Sequence, residues 1–171
     1  MRAALPMTIA LCAALLLVAC QRKVTNADDT GTPDQTAAAP PAAAGPITDA
    51  AKKAALATLP AAYQSADLDN GQAMFAVCKS CHTVAQGGGA MIGPGLWGVF
   101  GRKAASQAGF SYSDSLKASK IVWDAASLDR WIANPRAVAS DTKMTYAGMQ
   151  EAKDRIDVVA YLKVATSPPA N

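Results

Sequence analysis

The chain has 171 residues, with 16 Lys and Arg against 13 Asp and Glu. This length fits one domain with an appendage, because single domains commonly run to about 100 to 200 residues. The net charge of +3, without any basic run, argues against nucleic acid as a partner.

The first nineteen residues combine a charged start with a long apolar stretch. Arg2 precedes an uncharged, mostly apolar segment that ends at Ala19, which is the pattern of a secretory signal. A retained transmembrane helix is the open alternative, since about 17 residues is the lower limit for spanning a bilayer. Residues 1–19 are therefore predicted to be a signal segment or a membrane anchor.

The sequence LVAC at residues 17–20 resembles a bacterial lipobox. The resemblance implies that a diacylglyceryl group is attached to the sulfur of Cys20 and that cleavage makes Cys20 the mature N-terminus. Several acyl chains on one residue anchor a protein stably, whereas one chain of myristoyl size binds only marginally. A lipidated Cys20 or an uncleaved helix would each place the domain on the periplasmic side of a bacterial cell envelope, anchored to a membrane.

Residues 20–64 are predicted to form an Ala- and Pro-rich tether. No aromatic residue occurs before Tyr63, and the sequence TAAAPPAAAGP at 36–46 can bury little surface. Treated as flexible coil, residues 21–46 would have an r.m.s. reach of about 28 Å. Residues 48–59 have a helix-forming composition with a mostly alanine face, so we expect a helix that stays in the tether without joining the core.

The globular unit is predicted at residues 65–167, followed by a tail at 168–171. Nine of the ten aromatic residues lie between Phe75 and Tyr161, which marks where a core can form. About a hundred residues with few helices and long glycine-rich loops make a thin core. We therefore expect another group to fill its centre.

Three helices are predicted in this unit, and no strand of useful length. Asp67 is a suitable N-cap for a helix through about Cys78. The second helix, at residues 123–133, stops before Pro135, as the residue preceding a proline usually requires. The third helix, at residues 150–165, carries an apolar stripe at helical spacing. The unit is therefore predicted to be all-α.

Cys78, Cys81 and His82 form the CxxCH pattern of covalent haem attachment. The two thiols would add across the vinyl groups of one porphyrin edge, and His82 would then lie beneath the iron as its proximal ligand. A disulfide or thioredoxin-like pair would not need the histidine and lacks its βαβ context. A zinc site would need a fourth ligand, and the chain has no other histidine and no other cysteine outside its first twenty residues. We expect one covalent haem c.

The sixth iron ligand must be methionine, another weak donor, or nothing, because His82 is the only histidine. Met74 lies in the first predicted helix and is expected to be a core residue. Met91 follows His82 closely and is expected on the wrong side of the haem. Met144 lies in a loop far enough along the chain to reach the opposite face, and we favour it over Met149.

Residues 67–165 resemble class I cytochrome c of the mitochondrial and bacterial c2 type. Besides CKSCH, the stretches that carry the resemblance are GPGLWGVFGRKA (93–104), GFSYSDSLK (109–117), IVW (121–123), NP (134–135) and TKMTYAG (142–148). They occur in the family's order and at nearly its spacing. The resemblance implies the class I cytochrome c fold, thioether bonds at Cys78 and Cys81, and iron ligation by His82 and Met144.

The resemblance also implies roles for residues around the haem. The carbonyl of Pro94 should accept the ring N–H of His82, which fixes the orientation of that ring. Trp131 stands where many members have a tyrosine whose hydroxyl reaches the methionine sulfur, so that this hydrogen bond is supplied by the indole N–H or lost. The residues that match positions surrounding the haem propionates are Arg102, Tyr112, Ser113 and Trp123.

A closed iron coordination sphere would leave no place for a substrate, which predicts a one-electron carrier and not an enzyme. The resemblance offers a cytochrome bc1-type donor and a terminal oxidase acceptor as membrane-bound partners. Residues 65–167 hold 11 Lys and Arg against 9 Asp and Glu, so we expect a docking face that is less basic than in mitochondrial members. The rival interpretation is a haem enzyme or gas-binding protein with an open sixth site. A fixed subunit of a larger complex also stays open.

Overall fold

Seven α-helices and one 3-10 helix make up the regular structure of residues 47–167, the part of the chain that the computed structural model describes. Extended pairing within these residues is limited to one antiparallel bridge, between Lys103 and Val122. The expected all-α fold is confirmed. In chain order the helices are α1 (Asp49–Ala57), α2 (Ala61–Gln64), α3 (Leu68–Met74), the 3-10 helix (Phe75–Ser80), α4 (Asp114–Ala118), α5 (Ala125–Ala133), α6 (Pro135–Val138) and α7 (Ala152–Thr166).

The predicted N-terminal features fall mostly outside this range. The signal segment or anchor at 1–19, Cys20, the tether up to residue 46 and the tail at 168–171 lie outside the described residues. Among residues 47–167, no helix has both the length and the apolar character needed to cross a membrane.

The helix expected at residues 48–59 forms as α1, but it packs against the core instead of staying apart from it. Helices α1 and α2 both contact α7. Leu59, in the turn between them, is only 7% exposed, and Leu56 packs against the core cluster. The hydroxyl of Tyr63 donates to the carbonyl of Ala125 at 3.4 Å. The packed unit therefore starts before the predicted boundary, because these larger side chains supply the contact area that the alanine face lacks.

Helix α3 begins where the sequence predicts and crosses α7 closely. The side chain of Asp67 caps α3 by accepting from two backbone N–H groups of its first turn. Gly71 has no Cβ to collide with the backbone of Asp157, and the rings of Phe75 and Tyr161 lie 5.5 Å apart. The α-helix ends at Met74, earlier than expected, and continues as the 3-10 helix that carries the first cysteine.

Helix α7 is buried around more of its circumference than its predicted apolar stripe indicates. Helices α1, α2, α3 and α5 all contact it. Its buried residues are Asp157, Val158, Val159, Ala160, Leu162, Val164 and Thr166. Helix α7 is thus the central packing element of the described residues.

Helices α5 and α6 follow each other with a single residue between them. Helix α5 begins at Ala125 because Asp124 and Ser127 form a reciprocal capping box. Asn134 ends α5, and its side chain caps α6 by accepting from the N–H of Ala137, with Pro135 at the first helical position. The chain after α6 later returns to the end of α5, where the N–H of Met149 donates to the carbonyl of Ile132 at 2.9 Å.

Candidate functional site

A cavity of about 480 Å³ opens between the 3-10 helix, α5, α7 and the loops that connect them. Its volume falls within the range of about 300 to 1,000 Å³ that is typical of cofactor and ligand sites, and its lining is mostly apolar. All ten residues predicted to bind the cofactor line this cavity. They are Cys78, Cys81, His82, Pro94, Arg102, Tyr112, Ser113, Trp123, Trp131 and Met144.

The ring of His82 is held from behind by the backbone of residues 93 and 94. Its Nδ1 lies 2.7 Å from the carbonyl oxygen of Pro94. Since a carbonyl can only accept, Nδ1 donates, and in the neutral imidazole this tautomer leaves the Nε2 lone pair free to bind a metal. A Cβ on Gly93 would collide with the ring. The hydrogen bond implied by the family resemblance is therefore present in the structure.

The two cysteines lie in a tight turn beside this histidine. The backbone N–H groups of Cys81 and His82 both donate to the carbonyl of Cys78, at 3.1 and 2.9 Å. Both thiols are free and partly buried. Burial raises the pKa of the Cys78 thiol, and the neighbouring Cys81 raises it further. Across residues 47–167, no group of three or more His, Cys, Asp or Glu side chains is arranged to hold a metal ion.

Of the four methionines in the described part of the chain, only Met144 lines the cavity. Met74 packs against the core, as expected for a residue on α3. Met91 is 53% exposed. Met149 packs against the core, and its backbone N–H donates to the carbonyl of Ile132 at 2.9 Å. The geometry thus favours Met144 over the other three methionines.

The loop that carries Met144 is fixed by local contacts. The N–H of Met144 donates to the hydroxyl of Thr142 at 3.2 Å. Gly148 has φ = 110°, and a Cβ there would collide with the carbonyl of Ala133 at the end of α5. A residue with a side chain would be strained at this φ, so glycine is what lets the loop lie directly against α5.

Several polar side chains also line the cavity. The guanidinium of Arg102 donates to the carbonyls of Gly95 and Trp97, at 2.8 and 3.1 Å. Burial raises the pKa of Tyr112, while the positive charge of Arg102 acts in the opposite direction. The hydroxyl oxygen of Ser113 is buried and has no hydrogen-bond partner among the described residues. A buried hydroxyl without a partner is costly, and here it borders a cavity, which indicates that it serves a bound group.

Trp123 and Trp131 form an aromatic wall of the cavity. Their ring centroids lie 5.5 Å apart with the planes at 64°, an edge-to-face arrangement. The backbone N–H of Trp123 donates to the carbonyl of Arg102 at 2.9 Å. Trp131 and Met144 both line the cavity.

Sequence reasoning missed several apolar residues of this lining. Tyr146 is one of them, and burial together with the nearby Cys78 raises the pKa of its hydroxyl. These residues lie in loops or on short helices, where periodicity gives no signal. The apolar lining residues that were not predicted include Val77, Ile92, Leu96, Val99, Phe110 and Tyr146.

Comparison with known proteins gives a consistent result. Residues 68–166 match the family model for Cytochrome c. A cytochrome c2 from Rhodomicrobium vannielii is 42% identical over 109 residues, which cover 64% of this chain and 87% of that protein. A cytochrome c from Gibberella zeae is 43% identical over 101 residues, covering 58% of this chain and 95% of its own length. A cytochrome c2 from Rhodoplanes tepidamans is 43% identical over 96 residues, covering 56% of this chain and 90% of its own length.

The residues around the cavity fit a covalently held haem c. Two free thiols and the only histidine of the chain lie at one wall, and a single methionine lies elsewhere in the lining. Apolar side chains make up most of the lining, and the buried hydroxyl of Ser113 and the side chain of Arg102 belong to its polar part. This is a suitable environment for a flat apolar ring that bears two carboxylates.

Proposed function

Because the chain belongs to the cytochrome c family, we propose that it is a one-electron carrier in which Cys78 and Cys81 hold haem c and His82 and Met144 ligate the iron. The family implies the covalent haem c and supports electron transport as its use. When bound, haem c supplies an iron that gains and loses one electron. The observation that carries the proposal is that one cavity is lined by both thiols, the only histidine and a single methionine.

The residues of this chain would favour electron exchange over substrate chemistry. The Pro94 carbonyl holds the ring of His82 in one orientation, and the Thr142 hydroxyl holds the backbone at Met144. Two ligands that stay in place would limit rearrangement when the electron moves. A thioether ligand and an apolar lining both favour the reduced state, so we expect a potential on the high side for haem proteins.

The second candidate is a haem enzyme or gas-binding protein with an open sixth position. It differs from the first at one residue, because it requires that Met144 leave the iron free. The fixed Met144 loop and its place in the cavity lining favour the carrier.

The test is the weak far-red absorbance band of the oxidised protein, a marker of methionine ligation in this family. We expect the band in the purified holoprotein, its loss in Met144→Ala, and its retention in the matched control Met149→Ala. Rapid binding of carbon monoxide by the reduced protein, with no such band, would establish the open-site alternative instead.

We further propose that the carrier is held at a membrane on the periplasmic side of a bacterial cell envelope. The apolar residues 1–19 and the lipobox-like sequence that ends at Cys20 support anchoring. A tether would raise the effective concentration of membrane-bound partners, for which we propose a cytochrome bc1-type donor and a terminal oxidase acceptor. A fixed place in a larger complex is the alternative to a mobile tethered carrier.

Mass spectrometry of the mature N-terminus tests the mode of anchoring. A diacylated or triacylated Cys20 is the expected result. An intact residue 1 would show that the apolar segment is retained as an uncleaved helix. A cleaved chain without lipid on Cys20 would contradict the proposed anchor.

A further inference from the structure

The carboxylate of Asp141, in the loop after α6, lies at the N-terminus of α4. It accepts from the backbone N–H groups of Asp114 at 3.2 Å and Ser115 at 3.3 Å. It also accepts a short hydrogen bond from the hydroxyl of Ser115. Asp141 precedes Met144 by only three residues, so this contact joins the methionine loop to a separate helix.

Helix α4 receives its cap from this distant side chain and not from its own N-cap residue. Ser113 occupies the N-cap position with extended backbone, but its side chain makes no capping hydrogen bond. An N-cap side chain normally accepts from the second or third N–H of the helix, and Asp141 accepts from the first N–H, of Asp114, and the second, of Ser115. A carboxylate also suits the positive end of the backbone dipoles.

This arrangement leaves the hydroxyl of Ser113 free of the helix. The hydroxyl of Ser115 is the main cause of the lowered pKa of Asp141, and the nearby hydroxyl of Ser113 lowers that pKa to a smaller extent. The oxygen of Ser113 is nevertheless buried without a hydrogen-bond partner of acceptable geometry. Ser113 also lines the cavity. The Ser113 side chain therefore lies between the Asp141 carboxylate and the cavity.

A second contact holds the same loop to the segment before α4. The ammonium group of Lys143 donates to both the carbonyl and the hydroxyl of Ser111, at 2.9 and 2.8 Å. Asp141 and Lys143 thus attach the chain just before Met144 to residues 111–115 at two points.

We propose that Asp141 is a positioning residue that holds the Met144 loop against α4 and, by capping that helix, keeps the Ser113 hydroxyl available to the cavity. The inference rests on the proposed function, since it concerns Met144 as the ligand of the iron. Without Asp141, the Ser113 side chain would turn to cap α4, and the loop would lose one of its two attachments.

The experiment measures how readily external imidazole replaces the methionine sulfur in the oxidised holoprotein. We expect Asp141→Ala to raise the apparent affinity for imidazole by about fivefold, in line with the loss of a capping side chain. Asp141→Asn keeps an acceptor oxygen and should stay close to the wild type. The matched control Asp114→Ala removes a carboxylate of the same turn that pairs with Lys117 and makes no hydrogen bond with Asp141 through its side chain among residues 47–167, and it should not change the affinity.

Ser115→Ala provides a second variant on the α4 side of the contact, should Asp141→Ala fold poorly. It removes the hydroxyl donor but not the carboxylate, and we expect a smaller shift in the same direction. Unchanged imidazole affinity in both Asp141→Ala and Ser115→Ala would overturn the inference. If the wild type lacks the methionine band from the start, the proposed function itself fails, which is a distinguishable outcome.

Discussion

Gly71 lies directly against the backbone carbonyl of Asp157, so that helices α3 and α7 cross with no side chain between them. A Cβ at position 71 would also press on Tyr161. Neither neighbour is the flexible end of a side chain, so the helices would have to move apart. Burial of an extra methyl group in such a contact commonly costs about 1 to 3 kcal/mol.

We therefore expect Gly71→Ala to lower the free energy of unfolding of the holoprotein by about 1 to 3 kcal/mol. Denaturant titration followed by far-ultraviolet circular dichroism measures it. Gly89→Ala is the matched control, because a Cβ at Gly89 meets nothing within 4 Å. Equal midpoints for the two variants would show that this close crossing is absent in solution.

The carboxylate of Asp157 joins the same two helices, and we expect this contact to weaken at acid pH. Asp157 is 2% exposed, and its carboxylate accepts from the backbone N–H of Asp67 at 2.9 Å. It also accepts from the side-chain amide of Asn70 at 2.8 Å and the ammonium group of Lys153 at 2.7 Å. Burial alone would raise its pKa, but the hydrogen bonds of these groups outweigh burial and hold the pKa below the ordinary value of 3.8. Its stabilising contribution is therefore complete above pH 3.8 and is lost as the pH falls through the lower pKa of the folded state.

Asp157→Asn should destabilise the protein by about 2 kcal/mol near neutral pH, because a charged acceptor is replaced by a neutral one. The difference from the wild type should shrink as the pH is lowered below 3.8. Unfolding measured between neutral pH and pH 3 checks both points. Asp49→Asn, at an exposed ion pair on the surface of α1, should behave like the wild type throughout. A difference that stays constant with pH would contradict the assignment of this carboxylate.

Helices α1 and α2 lie before residues 68–166, which match the family, and we expect them to stabilise the protein. Leu59 belongs to the buried core cluster, and Leu→Ala changes at such sites cost about 2 to 5 kcal/mol. We expect Leu59→Ala to fall at the lower end of that range, since 7% of the residue remains exposed. Thermal unfolding of the holoprotein measures the change, and Ile47→Ala, at a residue that is 43% exposed, should have little effect in the same experiment. Equal stability of both variants would indicate that α1 and α2 do not dock in solution.

The helices predicted correctly are those with strong local signals. Asp67 marks the start of α3, and Pro135 marks the end of α5, because capping and proline geometry act within a few residues. Helix α4 has only five residues and is capped from Asp141, 27 residues away from Asp114 along the chain. A periodicity of 3.6 cannot be recognised over so short a segment, and no local pattern announces a cap from a distant loop.

The candidate site was predictable to the extent that its chemistry fixes the spacing of residues. CxxCH at residues 78–82 and the collinear motifs around it indicated the family that the match at residues 68–166 confirms. The docking of Leu59 and the lining contributed by Phe110 depend on tertiary packing, which composition does not reveal. The alanine-rich face of residues 48–59 therefore led to the wrong prediction that this segment stays in the tether.

Gly93 and His82 give a prediction about the site itself. A Cβ at position 93 would collide with the imidazole ring, and the ring has little freedom because its Nδ1 is hydrogen-bonded to Pro94. Gly93→Ala should therefore rotate the ring or displace the 93–94 backbone, at a cost of about 1 to 3 kcal/mol. We expect a lower ratio of haem to protein absorbance after purification and a weaker methionine band in the fraction that carries haem.

The control for this prediction is Gly89→Ala, four residues earlier in the same loop. It should match the wild type in both measurements, because a Cβ at Gly89 meets nothing within 4 Å. The comparison separates the effect of a methyl group on the loop from its effect on the ring. Normal haem content with an unchanged band in Gly93→Ala would mean that the ring does not lie where the structure places it.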